Sequence, residues 1–197
     1  MTRPVLQFWF EFASTYSYLS AMRIEEMADK AGVAVSWHPF WLGPIFKAQG
    51  WDSSPFNLYP VKGQYMWRDM ERLCAARGLP FARPDPFPQN SVLAARTAIL
   101  ALESDKGPEF CRAIYRSEFG EGKGISNPDG LREILVESGL PDDLVEKASE
   151  PQSKQALKDN VERAMSLGIF GAPSFIAGDE LFWGDDRLEA AIAHLAQ

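Results

Sequence analysis

Residues 5–12, Val-Leu-Gln-Phe-Trp-Phe-Glu-Phe, are apolar and aromatic almost throughout, the pattern of a strand covered on both faces. Ala13, Ser14 and Thr15 interrupt that run. Over 16–31 the apolar residues Leu19, Met22, Ile24, Met27 and Ala28 recur at helical spacing until Gly32 supplies a stop. Residues 33–37 read as a second strand, which completes a strand–helix–strand unit. Prolines at 39, 44, 55 and 60 make 38–60 loop-like, and a connection of that length points to a function. Helical periodicity returns over 62–77, with Met66, Met70 and Cys74 near one face and Gly78 behind it. A proline-rich connection at 80–88 precedes helices predicted at about 90–103, 108–119, 128–138, 141–149 and 152–167; Asn127-Pro128 caps the third. Two short strands, 173–177 and 181–183, follow around a Gly178-Asp179 turn, and an amphipathic helix over 185–195 closes the pattern.

That order, strand–helix–strand, a block of helices, then strand–strand–helix, resembles a thioredoxin-like domain of the disulfide-oxidoreductase type. The fold expected is α/β with a large all-helical insertion. The organisation expected is one domain over 1–197, made of segments at about 1–60 and 168–197 with the insertion at about 61–167. Thirteen Phe and six Trp suggest aromatic packing or an aromatic-lined pocket. A net charge of −7 argues against the basic footprint that nucleic acid or an anionic membrane requires, so a small molecule is the expected partner. No run approaches about 20 apolar residues, and residues 1–4 lead into the first strand without the regions of an export signal. A cytoplasmic location is therefore expected. Cys74 and Cys111 form no C-x-x-C pair and lie on helical periodicity, as buried free thiols do; no disulfide framework or metal site is expected.

Three segments carry candidate chemistry. Ser14-Thr15-Tyr16-Ser17 sits where the first strand turns into a helix, and unpaired N–H groups at such a turn favour an anion. Redox proteins of this fold place C-x-x-C there; with serine at both positions, disulfide exchange by this site is excluded. A serine there also reads as a simple helix cap, and the two roles coexist, because the same hydroxyl can donate to a thiolate brought by a ligand. Gly171-Ala172-Pro173-Ser174-Phe175 places a proline just before a strand, where this fold carries a cis-proline beside its site. Asp185 and Asp186 open the last helix, either as cap and dipole charge or as a carboxylate for the ammonium of an amino-acid-like ligand.

Taken together, F-x-F-x-S-x-Y-S-Y at 10–18, loosely kept, Phe46-Lys47-Ala48, Lys62-Gly63-Gln64-Tyr65-Met66, G-x-F-G-x-P at 168–173 and G-x-D-R-L at 184–188 resemble the 2-hydroxychromene-2-carboxylate isomerases and the related kappa-class glutathione transferases. The resemblance runs nearly end to end. It implies that glutathione is the cofactor, that Ser14 is the catalytic residue bonding its sulfur, and that Thr15 and Tyr16 belong to the same turn. It implies further that Ala172 and cis-Pro173 offer backbone to the cysteinyl unit, that Asp185 and Asp186 take the γ-glutamyl end, and that Lys62 meets a glutathione carboxylate. Lys47, Asn57 and Trp51 resemble positions facing the substrate, with Lys47 on its carboxylate. The chain departs at Thr15, where the family often has proline, and at Gly50-Trp51, where it often has Gly-Asn; either Trp51 or Asn57 takes that asparagine's place. The implied activity interconverts a chromene carboxylate and trans-o-hydroxybenzylidenepyruvate through reversible thiolate addition, in a homodimer. A transferase or peroxidase consuming glutathione, a non-catalytic binding module and a redox enzyme using Cys74 or Cys111 are the alternatives.

Overall fold

The computed structural model describes residues 3–196. Strand β1 (Val5–Phe10) is followed by α1 (Thr15–Ala21), α2 (Ile24–Lys30) and β2 (Ala34–Pro39). Helices α3 (Leu42–Ala48), α4 (Pro55–Leu58), α5 (Pro60–Arg77), α6 (Val92–Ala101), α7 (Gly107–Tyr115), α8 (Pro128–Glu137), α9 (Leu144–Lys147) and α10 (Pro151–Ser166) come next. Strands β3 (Ser174–Ala177) and β4 (Glu180–Trp183), a 3₁₀ turn at Asp185–Arg187 and α11 (Leu188–Leu195) end the order. This is the α/β arrangement with a helical insertion that the pattern predicts.

The sheet order is β2-β1-β3-β4. β1 runs parallel to β2, with Phe8 beside Trp37, and antiparallel to β3, with Phe8 beside Phe175. Being central, β1 is covered twice. Leu6, Phe8 and Phe10 belong to the larger core, together with Phe12 beyond the strand, Tyr18, Tyr115 and the helices of the insertion. Trp9 enters a second core with Phe40, Ile45, Val161 and Ile176. The period-2 alternation of the pleat thus splits one apolar run between two layers. No helix among the described residues is long and apolar enough to cross a membrane.

The structure differs from the pattern in three places. The helix predicted over 16–31 breaks at Met22 and Arg23, where the Arg23 guanidinium reaches back to Asp185 and Glu189. Residues 38–60 hold two helices, because Pro44 and Pro55 lie in first turns, where no intrahelical N–H bond is lost. The helix predicted over 108–119 changes into a π turn at Arg116–Gly120. That turn buries Glu118 completely, and neither of its carboxylate oxygens has a hydrogen-bond partner.

Candidate active site

Ser14 ends the loop after β1 and caps α1 in extended conformation. Its Oγ accepts the Ser17 N–H at 3.3 Å and donates to the Ala172 carbonyl at 3.0 Å. Ala172 is joined to Pro173 by a cis peptide bond, as the sequence predicts. The Pro173 carbonyl accepts the Gly184 N–H at 2.9 Å, which ties the turn before β3 to the end of β4. The helix-cap and ligand-site readings of Ser14 therefore meet in one hydroxyl, placed between segments from opposite ends of the chain.

Ser14 and Ala172 lie on the wall of a cavity of about 630 Å³. Trp41, Phe46, Trp51 and Phe56, from α3, α4 and the loop between them, supply much of its aromatic lining. Trp183 closes another side against Gly171, where an added Cβ would come within 2.5 Å of the indole nitrogen; a glycine is required for that approach. The loop suspected of function from its length alone thus forms the aromatic wall.

The structure distributes the sequence candidates unevenly. Thr15 is buried and its hydroxyl points to the Met66 sulfur at 3.3 Å, so its side chain is spent in packing. Tyr16 lines the cavity and donates to Asp69 at 2.9 Å; burial, and then this carboxylate, raise its phenol above the ordinary 10.0. Lys62 and Trp51 line the cavity. Lys47 is exposed and outside the wall, to which α3 presents Leu42, Gly43 and Phe46. Asn57 faces a separate cleft with Arg83 and Phe87, where its amide reaches Ser53 Oγ at 3.3 Å and the Phe87 carbonyl at 3.4 Å. Neither Asp185 nor Asp186 is on the cavity wall. Asp185 is turned inward against Ser20 at 2.9 Å, Arg23 at 3.1 Å and Arg77 at 2.7 Å, so its carboxylate serves the fold. Asp186 is exposed and pairs with Arg187 at 2.9 Å.

One functional neighbour was not singled out from the sequence. Glu11 lines the cavity at 4 % exposure. Its carboxylate accepts the Leu42 N–H at 2.9 Å, the Ala13 N–H at 3.3 Å and the Ser91 hydroxyl. Its carbonyl accepts the Ser14 N–H at 3.0 Å and the Tyr115 hydroxyl at 2.9 Å. One side chain thereby holds the serine loop, the start of α3 and the start of α6. Burial raises its acid strength constant against the lowering effect of the three donors. The available signal was a charged residue inside the apolar run 5–12, since a carboxylate is rarely buried without a purpose.

Both cysteines are buried free thiols. Burial pushes the Cys74 thiol up to about 11 and raises Cys111 as well, which is the opposite of an activated thiolate.

Residues 5–196 match the model of the DSBA-like thioredoxin domain. The chain belongs to that family. Within this DSBA-like family, it is 29 % identical over 197 residues to the 2-hydroxychromene-2-carboxylate isomerase of Sphingobium xenophagum, covering 99 % of each chain. It is 24 % identical to glutathione S-transferase kappa 1 of Caenorhabditis elegans, covering 98 % of this chain and 91 % of the relative. The solved structure of a 2-hydroxychromene-2-carboxylate isomerase superposes with a TM-score of 0.85 at 24 % identity, covering 97 % of this chain and 95 % of the other. The resemblance carried by the five sequence motifs is thus borne out over the whole DSBA-like domain, and its catalogue of relatives is one of enzymes acting on small molecules.

Proposed function

We propose that the protein is a glutathione-dependent isomerase of the 2-hydroxychromene-2-carboxylate type, with Ser14 as its catalytic residue. The observation that carries the reading is the Ser14 hydroxyl at the Ala172–cis-Pro173 turn, opening on an aromatic cavity. The donor set fits a thiol-bearing peptide at its sulfur end: a hydroxyl donor, the backbone of Ala172, and Lys62 for a carboxylate. At the γ-glutamyl end the fit passes from the buried Asp185 to the exposed Asp186. When bound, glutathione would supply a nucleophilic sulfur able to add to, and leave, a conjugated double bond.

The chain's own residues then have definite tasks. The Ser14 hydroxyl turns its proton from the Ala172 carbonyl to an anionic sulfur, a charge-assisted bond stronger than the neutral one it replaces. Trp41, Phe46, Trp51 and Phe56 stack with a conjugated ring and exclude water, which strengthens that bond and orients the reacting double bond. Glu11 fixes the serine loop against α3, so the hydroxyl and the aromatic wall keep one spacing.

Calorimetric titration with reduced glutathione tests the reading. Saturable binding that weakens tenfold or more in Ser14→Ala is expected; no binding at millimolar glutathione by the folded protein would remove it. The kappa relatives favour a transferase as the second reading, and stoichiometry separates the two: an isomerase leaves total glutathione unchanged, while a transferase consumes one molecule per turnover.

A further inference from the structure

The charges around the cavity speak to the second substrate, and this inference rests on the glutathione reading above. Among the described residues Lys62 is the cationic side chain on the cavity wall. Glutathione brings two carboxylates of its own, and Lys62 is the group placed to meet one of them. Lys47, the residue that the family resemblance puts on the substrate carboxylate, is exposed and off the wall. What remains toward α3 and α4 is Trp41, Phe46, Trp51 and Phe56, with neutral Gln49, Ser53 and Ser54, and two carboxylates, Glu11 and Asp52. A substrate anion entering this half would lose hydration without gaining a cation and would face Asp52. The ring of the same molecule would be well received there. Two surfaces elsewhere lead to no site: the cleft of Asn57 and Arg83 has its amide committed to Ser53 and Phe87, and the buried Glu118 lines none of the cavities described.

We infer that the second substrate is an uncharged aryl-conjugated ketone, with the ring among Trp41, Phe46, Trp51 and Phe56, and that this site discriminates against the carboxylate-bearing counterpart. The discrimination comes from a missing cation, so it is a property of the wall and not of the sulfur site.

A matched pair of unreactive probes tests this: 4-phenylbutan-2-one and 4-phenyl-2-oxobutanoate, which differ by methyl for carboxylate and lack the double bond that would react. Each is titrated by tryptophan fluorescence into the protein with and without saturating reduced glutathione, whose own binding is recorded first. The ketone is expected to bind at least about tenfold more tightly in the loaded protein. Gln49→Lys, which installs a cation on the wall, should raise carboxylate affinity severalfold and leave ketone affinity unchanged, while Lys47→Met should change neither. Equal or tighter binding of the carboxylate, or loss of carboxylate affinity in Lys47→Met, overturns the inference. Failure of glutathione to bind is a separate outcome that overturns the function proposed above, and a ketone preference measured without glutathione would still stand on the wall alone.

Discussion

Glu118 offers a test in which removing a functional group should make the protein more stable. Its side chain is fully buried on the π turn, and both carboxylate oxygens lack partners. Burial, and then the nearby charge of Glu11, raise it well above the ordinary 4.5. A carboxyl with a raised folded-state value binds its proton more tightly in the folded than in the unfolded chain. Its contribution is therefore fully present below 4.5 and is lost as pH rises through the folded value, at up to about 1.4 kcal/mol per pH unit. An unsatisfied buried polar group costs about 1–3 kcal/mol besides. Glu118→Met keeps the volume and removes both liabilities. With about 2–4 °C per kcal/mol for a chain of this size, the gain in Tm at pH 8 should be about 3–9 °C. Glu118→Gln removes the titration alone, so its advantage should vanish near pH 4.5. Differential scanning calorimetry of the three proteins from pH 5 to 8 gives the answer. A Glu118→Met protein no more stable than its parent at pH 8, or a gap that does not widen with pH, would refute the reasoning.

The remaining predictions concern the struts around the site. Asp185→Asn should cost about 3 kcal/mol in denaturant unfolding, because Arg23 and Arg77 lose the buried charge that pairs them; an unchanged midpoint would show that the two arginines find other partners. Glu11→Gln should leave the fold but loosen α3, read as faster amide exchange at Leu42, since one amide cannot accept from all three of its donors. Gly63→Ala should destabilise by about 1–3 kcal/mol, because the new methyl meets the Phe56 carbonyl and must push α4 off α5. Neither cysteine should react with a thiol reagent within minutes in the native protein, and both should react in denaturant.

Much of the fold was legible because its apolar runs differ in period. The doubly covered β1 shows as an unbroken run, and α5 and α10 show as 3.6-residue patterns ending at Gly78 and before Gly168. What misled was proline: the residues at 44 and 55 read as loop, yet both stand where a helix tolerates them. In the site, Ser14 and Pro173 could be placed because turn chemistry is local. Asp185 and Lys47 could not, since whether a carboxylate meets Arg23 and Arg77 or a ligand depends on elements more than 100 residues apart in the chain. Glu11 was visible as an exception to its surroundings, but its partners at Leu42 and Ser91 were not.

The sheet order has a temporal consequence. β1 lies between β2 and β3, and its antiparallel ladder joins Leu6 to Ala177. On the ribosome the first strand to emerge therefore keeps one hydrogen-bonding edge unpaired until almost the entire chain has been made, a long-range closure of the kind that slows folding and leaves strands open to wrong partners. Ser14 waits for Ala172 in the same way. The thiol site cannot exist in a nascent or C-terminally shortened chain, so catalytic competence and completion of the sheet should arrive in one step.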